Sequence, residues 1–218
     1  MFRKLLALSV LATGLGFASA ASATTYTTDF SAVTSNSGFQ TQVASELSAS
    51  WTAVGATDLR VVVSFFGSTV GTVEELYFLN PGFLGGVSVT STSDSTHIQF
   101  ALGATPGQLP GAASYNADPI SAAQNGENDS CNHSGRGLCV GNRLTLDIAT
   151  TGLTDSVLLS ALNNGTLGLG VHIIAIGGIN GTSDSFVSLA PSVGAPEPGS
   201  LALLGAGLLG LAVLRRKR

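Results

Sequence analysis

Two stretches decide the fold: Phe39–Ala53, which reads FQTQVASELSASWTA, and Asp58–Phe66, which reads DLRVVVSFF. In the first stretch apolar residues such as Val43, Leu47 and Trp51 recur at odd positions, whereas the even positions are mostly polar. A period of two predicts one long strand with a single dry face. The second stretch is apolar on both faces and predicts a central strand.

The flanking sequence continues the same pattern. Further strands are predicted at Gly71–Leu79, at 97–102, at 144–149, at 167–176 and through Phe186, Val187 and Leu189. A helix is predicted from Thr154, as its N-cap, to a stop at Asn164-Gly165. The fold class is therefore mainly β: a single β-sandwich-like domain with one short amphipathic helix, and a barrel-like closure as the alternative.

A long stretch from Gly103 to Asn142 carries many turn signals and little periodicity. Asp118 as an N-cap and Pro119 in the first helical position predict a short helix that ends near Asn125. Forty residues without regular structure are unusual inside a compact domain. The stretch is either a functional loop or one whose elements the pattern hides.

The N-terminal sequence has three parts. Met1–Lys4 is basic, Leu5–Phe17 is apolar, and small residues follow at 18–23. This layout predicts a secretory signal peptide over residues 1–23, cleaved after Ala23, with Ala20 as the second choice. A buried N-terminal helix is the alternative.

The C-terminal sequence, residues 195–218, also has three parts. Pro196, Glu197 and Pro198 come first, an apolar segment spans 201–214, and Arg215, Arg216, Lys217 and Arg218 follow. The leucines of the apolar segment are Leu201, Leu203, Leu204, Leu208, Leu209, Leu211 and Leu214. This tail resembles the PEP-CTERM sorting signal of diderm bacteria that make extracellular polysaccharide, which is also labelled an ice-binding protein C-terminal domain.

The resemblance implies a route. An exosortase would recognise the P-E-P motif at 196–198 and cut near it, the apolar segment would enter the inner membrane as a transmembrane helix, and the basic tail would stay cytoplasmic. Fourteen helical residues rise about 21 Å against a hydrocarbon core of about 30 Å, so the segment suits a transient anchor. The four cations after it favour the same orientation. A permanent single-span anchor is the alternative.

Between the two ends the chain is acidic. Residues 24–195 contain three arginines, no lysine and twelve acidic residues, a formal charge of −9. Nucleic-acid binding needs cations that face phosphates, so no nucleic-acid partner is expected. Residues 24–194 are predicted to form one β-rich extracellular domain.

Candidate chemistry in that domain is sparse. Cys131 and Cys139 are the only cysteines, and an exported chain favours a local disulfide between them. A zinc site that adds His133 lacks a fourth ligand. Calcium at Asn125, Glu127 and Asp129 lacks the turn glycine and the bidentate acid of a calcium loop. No metal or other cofactor is therefore predicted.

These features predict a non-enzymatic protein of the cell surface or extracellular matrix. Neither a Gly-x-Ser-x-Gly elbow nor another catalytic motif is present, and His97 and His172 fall on predicted strands. The expected partners are the Sec machinery and exosortase during export, the inner membrane transiently, and exopolysaccharide in a structural or adhesive, biofilm-related role. The alternative is a secreted carbohydrate-binding or hydrolytic domain that uses the same export route.

Overall fold

The computed structural model describes residues 23–93, 98–122, 137–179 and 181–191. Within them the strands are β1 (Thr25–Thr28), β2 (Phe30–Ala32), β3 (Leu47–Val54), β4 (Asp58–Phe65), β5 (Thr72–Leu79), β6 (Leu84–Thr92), β7 (Phe100–Leu102), β8 (Ala117–Ala122), β9 (Leu138–Cys139), β10 (Asn142–Thr150), β11 (Gly168–Ile174) and β12 (Ser183–Ser188). The helices are α1 (Gln40–Glu46) and α2 (Asp155–Asn163), with a short 3₁₀ turn at Ile176–Gly178. The protein is mainly β, as its sequence predicts.

The strands form two antiparallel sheets. Sheet A has the order β1-β3-β4-β10-β6, and sheet B has the order β2-β12-β11-β5-β8-β7 with β9 also beside β5. The chain passes from the edge of sheet A to the edge of sheet B at Asp29, between β1 and β2. Side chains of both sheets belong to one buried cluster, an arrangement consistent with a β-sandwich.

The core is built by alternation. On β3, β4 and β10 every second residue is buried, and the buried set includes Trp51, Phe65 and Leu146. Sheet B contributes Phe78 and Phe186 to the same cluster. The Nε1–H of Trp51 donates to Thr28 Oγ1 at 3.0 Å, so the polar atom of this buried indole is satisfied.

The predicted long strand over 39–53 is wrong in its first half. Gln40–Glu46 form α1, and only Leu47–Val54 form a strand. Phe39, Val43 and Leu47 are four residues apart, a spacing that fits one face of a helix as well as every second residue of a strand. Val43 is fully buried from the helix, so tertiary packing decides between the two periods.

The predicted helix after Asp118 is also wrong, because Ala117–Ala122 form β8 between β5 and β7. Asp118 has φ 41°, and its neighbour Pro119 lies where the pairing of β5 with β8 shifts register. A proline is tolerated at such an irregularity because no ladder hydrogen bond from its nitrogen is needed. Strands β1, β2, β6 and β9 were not predicted either.

Other elements match the prediction. Thr154 caps α2 by accepting a hydrogen bond from Val157 N at 3.2 Å, and Gly165 follows the helix with φ 66°. The strands predicted at 167–176 and near Phe186 are β11 and β12. The strand predicted at 97–102 is shorter, since β7 begins at Phe100.

Candidate functional site

A polar cluster lies on the outer face of sheet B, the face opposite the core. Its members are Glu75 and Tyr77 on β5 and His172 on β11. The Glu75 carboxylate lies 3.0 Å from His172 Nδ1 and accepts a hydrogen bond from the Tyr77 hydroxyl at 2.7 Å. Glu75 is 5% exposed and Tyr77 is fully buried. This is a buried hydrogen-bond network, in which His172 and Tyr77 share the Glu75 carboxylate.

The strand register places a fourth residue, Ser185, beside the cluster. His172 pairs with Glu75 of β5 on one side and with Ser185 of β12 on the other. Among the described residues, the buried Ser185 Oγ is one of few side-chain oxygens that make no hydrogen bond. A serine, a histidine and a carboxylate therefore occupy successive strands, in the order that nucleophilic hydrolases use.

A segment of the irregular stretch, residues 103–116, covers this face of sheet B. The Tyr77 hydroxyl lies 2.9 Å from the carbonyl oxygen of Pro106. Tyr115 and Leu109 lie directly above two glycines of β11: a Cβ built on Gly170 would lie 2.6 Å from Leu109 Cδ2, and one on Gly168 would lie 2.7 Å from the Tyr115 hydroxyl. The glycines of β11 thus make room for the cover.

Burial under the cover alters acidity. Loss of solvent raises the pKa of Tyr77 well above its usual range, and the adjacent Glu75 carboxylate raises it further. Burial also raises the pKa of Tyr115. For Glu74, the next residue on β5, burial and the neighbouring Glu75 raise the pKa although His172 opposes them. Both tyrosine hydroxyls therefore stay neutral, and that of Tyr77 bonds to the cover at the Pro106 carbonyl.

The cluster is arranged to connect the strands to the cover rather than to receive a substrate. Ser185 is only 1% exposed, so a substrate does not reach its Oγ in this conformation. No group of three or more histidine, cysteine or acidic side chains in the described part of the chain is placed to hold a metal ion. The contacts that the structure shows at the cluster are hydrogen bonds between strands and between Tyr77 and the cover.

Two further carboxylates bind loops. Asp184, 1% exposed, accepts hydrogen bonds from the backbone N–H groups of Asn36 at 2.7 Å and Ser37 at 3.0 Å, from Thr34 Oγ1 at 3.0 Å and from the Ser37 hydroxyl. Burial opposes its ionisation, but these donors outweigh it and lower its pKa. Glu46 likewise accepts from the N–H groups of Ser68 and Thr69, which lower its pKa against the effect of burial. Both carboxylates fasten loops at one end of the domain.

One open groove separates β2 from α1. It has a volume of about 690 Å³, and its lining includes Phe30, Ala32, Ala44 and Leu189, with Asp29 at its edge. Among the described lining residues there is one carboxylate and no cation, and these residues offer no pair of groups for acid–base chemistry.

The comparisons with known proteins concern the tail. Residues 195–218 match the family model of the PEP-CTERM protein-sorting motif. The resemblance of this segment is confirmed, and the match supports export of the chain and its sorting by exosortase. No curated protein and no solved structure shows a significant match to the chain.

The PEP-CTERM residues themselves, 196–198, 201–214 and 215–218, lie outside the described residues. In the described ranges no helix is long and apolar enough to span a membrane. Ala23 is exposed and lies two residues before β1, so cleavage there would leave every described strand whole. The signal peptide stays a prediction.

The remaining predicted site residues are divided in the same way. Cys139 ends β9, whereas Cys131 lies outside the described residues, so the disulfide stays a prediction. His133 and the acidic loop at 125–129 also lie outside. Sequence reasoning missed the cluster of Glu75, Tyr77 and His172. Its only signal was Glu75 and Tyr77 at alternate positions of the strand predicted at Gly71–Leu79.

Proposed function

We propose that the protein is an exported component of the bacterial cell surface or extracellular matrix, delivered by exosortase and acting without catalysis. The PEP-CTERM match over residues 195–218 is the observation that carries the proposal. The signal peptide predicted over residues 1–23 supplies the entry to the Sec route.

The described domain supports a structural or adhesive role. Its buried carboxylates at Glu75 and Asp184 are engaged by neighbouring strands and loops rather than aimed at an open cleft. The outer face of sheet A is polar along much of its length. It carries hydroxyls at Thr25, Thr27, Ser50, Thr52 and Thr145, together with the exposed Arg60–Asp147 pair.

That polar face supports exopolysaccharide as the partner. Hydroxyls and a guanidinium–carboxylate pair offer donors and acceptors to sugar hydroxyls through direct and water-mediated bonds. We expect the purified domain to cosediment with exopolysaccharide from its own producing cells and the Thr52→Val, Thr145→Val double variant to cosediment less. Equal cosedimentation of the two proteins would remove this face from the proposal.

Targeting is tested in cells. The full chain should appear on the surface or in the medium, and a chain that lacks residues 195–218 should lose retention at the envelope. Deletion of the exosortase should leave the full chain in the inner membrane with its tail attached. A full-length product in the cytosol of normal cells would refute the proposal.

A hydrolase is the second candidate, because Ser185, His172 and Glu75 stand in register. It ranks second because Ser185 is buried and these three residues line no described cleft for a substrate. A fluorophosphonate probe distinguishes the two: the proposed function predicts no labelling, whereas labelling abolished by Ser185→Ala would establish a reactive serine.

A further inference from the structure

One end of the described domain exposes large apolar side chains. Four of them lie on segments that converge there: Phe39 before α1, Phe66 and Val70 between β4 and β5, and Ile179 after the 3₁₀ turn. Each is more than a third exposed, and Phe66 and Ile179 are each 53% exposed. Apolar side chains that gather at one place on a surface indicate contact with an apolar partner.

Backbone and side-chain contacts show that these segments meet. The N–H of Phe66 donates to the carbonyl oxygen of Glu46, the last residue of α1, at 2.9 Å. The N–H of Gly177 donates to the carbonyl oxygen of Val70 at 2.8 Å. A Cβ built on Gly177 would lie 2.7 Å from Phe39 Cε2, so the Phe39 ring packs on the 3₁₀ turn. We define the α1 end as residues 33–46, 66–71 and 175–179.

The α1 end differs in charge from the rest of the domain. Glu46 is its only charged residue, although residues 24–195 together carry a formal charge of −9. The Glu46 carboxylate accepts hydrogen bonds from the backbone N–H groups of Ser68 at 2.9 Å and Thr69 at 3.1 Å. Arg143 lies beside this end, because β10 places it opposite Ser64, near the end of β4. The surface is therefore apolar, with its one carboxylate engaged and a cation at its edge.

The C-terminal part of the chain leaves the domain beside α1. Leu189 lines the same groove as Gln40 and Ala44 of α1. From Pro191, the last described residue, to Leu201, the first residue of the apolar segment, the chain advances ten positions. Fully extended, these residues span at most about 35 Å. An apolar segment inserted in a bilayer therefore holds α1 close to the membrane surface.

We propose that the α1 end lies on the periplasmic leaflet of the inner membrane while the tail is anchored there, with Phe39, Phe66 and Ile179 inserted among the lipid headgroups. The proposal rests on the export route proposed above. A short tether keeps the α1 end at a high effective concentration near the lipid, so a weak apolar contact is sufficient. Removal of the tail ends this advantage and frees the domain from the membrane.

A photocrosslinker that reacts with acyl chains tests the contact. Residues 24–218, with the tail in place, are reconstituted in vesicles of phosphatidylethanolamine and phosphatidylglycerol. p-Benzoylphenylalanine replaces Phe39 or, as the matched control, Val54, which are 37% and 40% exposed. Val54 lies seven positions along β3 from Leu47, about 23 Å away from the α1 end. We expect mass spectrometry to find lipid adducts from position 39 and to find none from position 54.

Three results would overturn the contact or its basis. Equal adducts from the two positions, or none from position 39 in vesicles that carry the protein, would refute contact between the α1 end and lipid. Adducts that join two copies of the chain, in place of lipid, would assign the α1 end to self-association and refute it as well. Failure of residues 24–218 to float with the vesicles would instead remove the membrane anchor on which both this proposal and the export route depend.

A charge introduced at the α1 end gives a second measurement. Ile179→Asp should reduce the yield of lipid adducts from position 39 several-fold, because a carboxylate does not enter the acyl region. Val157→Asp, at a 39% exposed position of α2, is the matched control and should leave the yield unchanged. Both positions are exposed, so each variant should keep the urea midpoint of the parent chain. An unchanged yield in Ile179→Asp would contradict insertion of the α1 end.

Discussion

The outer faces of the two sheets differ sharply. On sheet A the outward residues of β3, β4 and β10 are mostly half-buried or exposed, and the main ion pair is Arg60–Asp147 at 2.9 Å, with side chains 45% and 25% exposed. On sheet B the cover at 103–116 buries the outward residues of β5, including Tyr77 and Glu75. A carboxylate is therefore exposed to water on sheet A, at Asp147, and buried on sheet B, at Glu75.

A polar group contributes differently to stability on the two faces. An exposed ion pair gains little, because water competes for both charges. Removing a buried carboxylate that serves two donors costs more, because each donor loses an acceptor where water cannot replace it. Equivalent substitutions on the two faces should consequently have unequal effects.

The largest effect should come from Glu75→Ala. It removes the acceptor beside His172 Nδ1 and one of the two acceptors beside the Tyr77 hydroxyl, and we expect the free energy of unfolding to fall by roughly 2–4 kcal/mol in urea denaturation. Asp147→Ala is the matched change on sheet A and should leave the midpoint unchanged within error. Equal losses for the two variants would refute the distinction between the faces.

A smaller effect should come from one added methyl group. In Gly170→Ala the new Cβ would meet Leu109 of the cover, and we expect a loss of roughly 1–3 kcal/mol in the same assay. Gly86→Ala on β6 of sheet A is the control, because its Cβ would have nothing within 4 Å, and a change within about 0.5 kcal/mol is expected. A neutral Gly170→Ala would mean that the cover is not seated on β11.

The smallest effect at neutral pH should come from Tyr77→Phe, which removes one hydroxyl and is expected to lose about 1 kcal/mol. Its pH dependence is more informative. Since burial and Glu75 raise the pKa of Tyr77, its contribution is complete below the unfolded value of about 10 and declines above it, as the unfolded chain releases the proton first. Denaturation between pH 8 and 11 should show a shallower decline for the variant, and identical slopes would contradict a buried Tyr77 hydroxyl.

The same contrast explains which strands the sequence predicts well. The pattern around Trp51 and Leu146 alternates because one face of sheet A is wet, and that alternation is visible without a structure. At Phe39, Val43 and Leu47 the spacing fits both a strand and a helix, so only packing distinguishes them. The sequence did not predict β8, because Asp118 and Pro119 locally favour the start of a helix. In the fold this segment instead pairs with β5.

The candidate sites also differ in how well the sequence predicts them. The PEP-CTERM tail is a linear motif, so the order of residues 196–218 is sufficient to predict it. The cluster of Glu75 and His172 joins residues 97 positions apart, through a register that no local pattern specifies. Ser185 lies beside His172 only because a third strand, β12, pairs with β11.

Mass spectrometry of both termini of the protein recovered from the cell surface or medium distinguishes sorted from unsorted protein. Export and exosortase sorting predict an N-terminus at Thr24 and a C-terminus near 196–198, without the apolar segment and its basic tail. Molecules that mostly retain Arg218 would contradict sorting by exosortase.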